Sequence, residues 1–71
     1  MNRETIEKWE AAAYDAGDSE SWMIARKALG FQVLTNDELN VPMRRQKQIV
    51  DMTPRGAQRL VAKWEKYYAT R

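Results

Sequence analysis

The chain has 71 residues, twelve of them Lys or Arg and ten Asp or Glu, with no Cys, no His and a formal net charge of +2. That length bounds it to one domain with a modest core. The missing residue types exclude disulfide staples and thiolate chemistry, together with the commonest general base and metal ligand.

The charge is unevenly placed. Residues 1–41 carry four Lys/Arg against eight Asp/Glu, a balance of −4, and residues 42–71 carry eight against two, a balance of +6. No apolar run approaches the length of a membrane span, and the start, MNRETIEKWE, lacks the apolar core of a signal peptide. The expectation is a soluble, cytoplasmic protein folded as a single α-helical domain over 1–71.

In chain order, Asn2 caps a first helix predicted to reach about Ala16, with Ile6, Trp9, Ala12, Ala13 and Ala16 as its buried stripe. Glu4 and Glu7 suit its early turns, where the helix dipole favours negative charge. Tyr14 falls off the stripe, and Gly17 is the expected stop. Asp18 caps a second helix with Glu20 in its first turn. Its inner face is Trp22, Ala25, Ala28 and Leu29, with Ile24 at the border. Met23 points away from that face, and Gly30 ends the helix.

Phe31 to Leu34, FQVL, finds no second strand signal to pair with and reads as an extended connector pinned into the core. Thr35 and Glu38 match the T-x-x-E capping box, which predicts one or two helical turns. Pro42 opens a further helix to Val50 or Met52. Met43, Ile49 and Val50 lie inside it, Arg44, Gln48 and Asp51 outside, and Arg45 and Lys47 on its flanks.

The longest pattern is Thr53 to Arg71. Thr53 is an N-cap and Pro54 suits the first helical position, where its missing N–H would be unpaired anyway. Ala57, Leu60, Val61, Trp64 and Tyr68 recur at helical spacing and form one face. Arg55, Arg59, Lys63 and Lys66 fall opposite, with little bulk between them. Trp9, Trp22 and Trp64 all lie on apolar stripes and are expected in the core. The sum is an all-α bundle of four main helices plus one short helix, with helix over more than about 60% of the chain and no sheet of three or more strands.

VDMTPRGAQRLV, residues 50–61, resembles the turn and second helix of helix-turn-helix DNA-binding units, through Met52, Thr53, Ala57, Arg59 and Leu60. Asp51 stands where that family favours Gly, and Lys47 where it favours a small residue. Both departures bear on how closely the two helices can pack. The resemblance implies that the last helix enters the major groove by its N-terminal end. Arg55 and Gln58 would then face base edges, while Arg44, Arg45, Lys63 and Lys66 would hold the phosphate backbone, and Lys47 and Arg59 complete the expected nucleic-acid-binding set.

Asp15, Asp18 and Glu20 lie close in sequence but match no metal-binding loop, and capping accounts for the last two, so neither metal nor cofactor is expected. No nucleophile–base pair and no phosphate-cradling glycine loop is present, and the chain reads as non-enzymatic. The leading function is a small DNA-binding regulatory or accessory protein. The alternative is a small inhibitor or adaptor whose basic face grips an acidic protein surface. Homodimerisation is a third expectation, because Tyr14, Met23 and Tyr67 are left over by the core pattern.

Overall fold

The computed structural model describes residues 2–69; Thr70 and Arg71, at the end of the last predicted helix, lie outside the described residues. Four helices follow one another: α1 (Arg3–Ala16), α2 (Ser19–Ala28), α3 (Met43–Asp51) and α4 (Pro54–Ala69). Helix covers 72% of the described residues and no strand occurs among them, so the all-α expectation holds.

Local chemistry places the ends of the first two helices. The Asn2 side chain accepts the Thr5 N–H at 2.8 Å, filling one of the donors a helix start leaves open. Gly17 takes φ +70°, which lets its N–H reach Tyr14 O at 3.1 Å and the Asp18 N–H reach Ala13 O at 2.9 Å. Asp18 then turns its carboxylate onto the Ser21 N–H at 3.2 Å and starts α2. Gly30, at φ +91°, closes α2 in the same manner as Gly17 closes α1.

α2 is the centre of the molecule. α1, α3 and α4 all pack against it, and α1 also touches α4. The core joins Ile6 of α1 and Met23, Ile24 and Ala28 of α2 to Val33, Ile49, Ala57 and Val61. Met23, expected to point away from the core, is fully buried. The expectation assumed a helix with one inner stripe and one wet face, whereas a helix enclosed by three others has little wet face left.

Other departures lie at the rim. Ala12, Ala16 and Tyr68, expected inside, are exposed. The three tryptophans pack against the core but are half-buried. Their placement follows from the polar edge of the ring, which keeps a hydrogen-bond partner. Trp22 Nε1 donates to Glu10 Oε1 at 3.1 Å and Trp9 Nε1 to Glu65 Oε1. The Trp9 ring lies 5.5 Å from those of Trp64 and Tyr68, centroid to centroid.

The connector between α2 and α3 keeps Val33 buried, as expected, but leaves Leu34 exposed. No short helix forms after Thr35. Asn36 instead builds a turn, its side chain accepting the Glu38 N–H at 2.9 Å and its carbonyl the Leu39 N–H at 3.1 Å. The reason lies in α3. Gln46, passed over in the sequence pattern, is buried, and its amide accepts from Asn36 N at 2.8 Å and donates to Asn36 O at 3.1 Å and Val41 O at 2.9 Å. Gln46 falls between Met43 and Ile49 on the inner stripe of α3, which was a legible sign of burial.

Candidate nucleic-acid interface

α4 starts where expected. Thr53 Oγ1 accepts the Gly56 N–H at 3.0 Å, and Pro54 occupies the first helical position. Ala57 and Val61 face α2 fully buried, with Leu60 and Trp64 half-buried beside them. The opposite side therefore faces solvent, and Arg55, Arg59, Lys63 and Lys66 are all exposed on it. From Arg55 to Lys66 the row spans about 16 Å at the helical rise of roughly 1.5 Å per residue. On α3, burial of Gln46 and Ile49 turns Arg44 and Lys47 to solvent, with Asp51 exposed on the same element.

The two remaining candidates are placed differently. Arg45 is half-buried, with Nε 3.3 Å from Glu20 Oε1 and Nη1 donating to Gln48 Oε1 at 3.1 Å. Its charge already serves to fasten α3 to α2. Gln58 is turned inward, where Nε2 donates to Ala28 O at 3.0 Å and satisfies a carbonyl near the end of α2. Its amide is thus engaged inside the protein and does not stand out from the start of α4 as the helix-turn-helix resemblance implies.

Ion pairing sorts the cations into two groups. Arg3 pairs with Glu7 at 3.6 Å, Arg26 with Glu10 at 3.9 Å and Arg45 with Glu20 at 3.3 Å. Lys27 donates to Val50 O at 2.8 Å, near the end of α3. Arg44, Lys47, Arg55, Arg59, Lys63 and Lys66 make no ion pair among the described residues, and one of the nearby carboxylates, Glu65, is engaged by Trp9. The acidic helices thus spend part of their charge on cations within the protein, while the cations of α3 and α4 other than Arg45 face water.

The helix-turn-helix resemblance has a partial counterpart in this geometry. α3 and α4 are joined by Met52 and Thr53 alone, and both pack on α2, but neither packs extensively on the other. The two departures at Lys47 and Asp51 fit that spacing: both are exposed where the family pattern calls for small residues between the helices.

The fold and this surface define a small all-α protein with one strongly basic flank. No family model, curated protein or solved structure matches the chain. Among the described residues, no helix is long and apolar enough to cross a membrane.

Proposed function

We propose that this protein is a cytoplasmic DNA-binding regulatory or accessory factor that grips the duplex backbone with the outer faces of α3 and α4. The observation that carries the reading is the set of six exposed cations, Arg44, Lys47, Arg55, Arg59, Lys63 and Lys66, which make no internal ion pair among the described residues. Such a row meets phosphates spaced every few ångströms and releases their condensed counterions, which supplies affinity without reading sequence. With Gln58 engaged inward, Arg55 is the side chain left in the first turn of α4 to reach a base edge, so sequence preference is weak. The reading is non-enzymatic and uses no metal or cofactor.

The test is a titration of the protein against a fluorescent duplex, with Lys66→Ala beside the parent. Lys66→Ala weakens binding on every sequence and lowers the salt dependence by about one phosphate contact. Binding that ignores this substitution removes the basic face from the mechanism.

Tyr67, exposed one turn beyond Lys63, favours a second reading: docking on an acidic protein surface, since aromatic residues are enriched at the centres of such interfaces. That reading predicts negligible duplex affinity for parent and variants alike.

A further inference from the structure

Between α1, the start of α2 and the end of α4 lies a hollow of about 190 Å3, on residues the basic face does not use. Three aromatic rings line it: Trp9 from α1, and Trp64 and Tyr68, one turn apart on α4. The Trp9 centroid is 5.5 Å from each of the other two, with its plane tilted 55° to Trp64 and 42° to Tyr68. Rings splayed in this way do not cover one another's faces fully, and the hollow borders all three. Ala12 and Ala16, on the same side of α1, stay exposed because they border this hollow and not a neighbouring helix. Their small side chains keep the space open. A cavity of about 150 Å3 takes a benzene-sized ligand, so the room here suits a compact head group.

The electrostatics select a cation. Aromatic faces carry the negative side of the ring quadrupole. Asp18 is the charged residue in the lining, and its Oδ1 accepts the Ser21 N–H at 3.2 Å. Glu65, accepting from Trp9 Nε1, sets a second carboxylate at the indole edge. No Lys or Arg lines the hollow. The contrast with the other large rings is direct. Arg26 lies 5.1 Å from the Trp22 centroid and 4.5 Å from that of Phe31. Over Trp9 and Trp64 the protein places no cation among the described residues.

The lining also selects which cation. A primary ammonium brings three N–H donors that need acceptors on leaving water, and alanines and ring faces supply few. A fully methylated ammonium keeps the charge and brings no donor. We propose that this hollow binds a quaternary ammonium group, its methyls against the rings of Trp9, Trp64 and Tyr68 and its charge balanced by Asp18. Two sources present that group: a trimethylated lysine of another protein, and a choline-type small molecule or head group.

The experiment is a titration of the protein with choline, followed by tryptophan fluorescence at constant ionic strength and without nucleic acid, which keeps it separate from DNA binding. Its control is 3,3-dimethylbutan-1-ol, which carries carbon in place of the charged nitrogen. Choline is expected to saturate with a dissociation constant of roughly 1–10 mM, and the neutral analogue to bind about tenfold more weakly or less. Tyr68→Leu removes one ring at a position 54% exposed, so the fold should survive. Asp18→Asn removes the charge and keeps a side chain that caps α2. Each should weaken choline binding by about 3–10-fold. A short peptide bearing trimethyllysine, beside its unmethylated twin, separates the sources. A methylated peptide that outbinds both its twin and choline supports the site with a modified protein as its source; choline binding at least as tightly as the peptide supports it with the small molecule or head group. No saturation by about 100 mM choline overturns the proposal. So does a neutral analogue that binds as tightly as choline, or a Tyr68→Leu variant that binds choline like the parent.

Discussion

The Gln46 side chain is 1% exposed and holds the connector at two places, Asn36 and Val41, through three hydrogen bonds. Replacing it with Met keeps the volume but leaves the Asn36 N–H and the Val41 carbonyl short of a partner, while the Asn36 carbonyl keeps the Leu39 N–H. Gln46→Met is expected to cost about 2–4 kcal/mol, with the Asn36 amide losing hydrogen-exchange protection before the helices do; an unchanged melt would remove the clamp from this account. Gln58 supplies the converse test. Its bond to Ala28 O makes it structural, so Gln58→Ala should lower stability by roughly 1–2 kcal/mol while leaving duplex affinity unchanged. Gln46 could be placed inside from its position between Met43 and Ile49, whereas Gln58 shows where single-sequence reading stops. A helical stripe ranks residues by hydrophobicity, and an amide is ranked as surface unless its tertiary acceptors are known. Met23 shows the same limit in reverse, because only the presence of three neighbouring helices places it inside.

Among the elements, the signals that local sequence carries place the helix ends. Asn2, Gly17, Asp18, Thr53 and Pro54 act within a few residues of themselves, and each caps, stops or starts a helix where the sequence predicts. Asp18→Ala should therefore cost about 1 kcal/mol, measured by thermal or denaturant unfolding. Gly17→Ala should cost a similar amount, roughly 1 kcal/mol, from backbone strain at φ +70° alone, since nothing lies within 4 Å of an added Cβ. The one failed cap is informative: Thr35 and Glu38 match a helix start, but the Asn36 backbone is held by Gln46 and its side chain caps a turn instead. A local signal lost to a tertiary hydrogen bond. The outer faces of α3 and α4 were legible because their inner faces were; Arg45 was not, because its partner Glu20 lies 25 residues away on α2.

For the whole molecule, the contrast is between an acidic first part, whose carboxylates pair with Arg3, Arg26 and Arg45, and a basic second part whose other cations face water. Reversing Arg55, Arg59 and Lys66 together to Glu changes exposed side chains only, so the circular dichroism spectrum and melting temperature should stay near those of the parent. The most direct measurement is duplex affinity of parent and triple variant across a series of salt concentrations. Four to six phosphate contacts predict a parent slope of log affinity against log salt of roughly −4 to −5, with binding abolished in the folded triple variant. A parent that fails to bind duplex at low salt, or a triple variant that binds as tightly as the parent, would contradict the claim that this face holds nucleic acid.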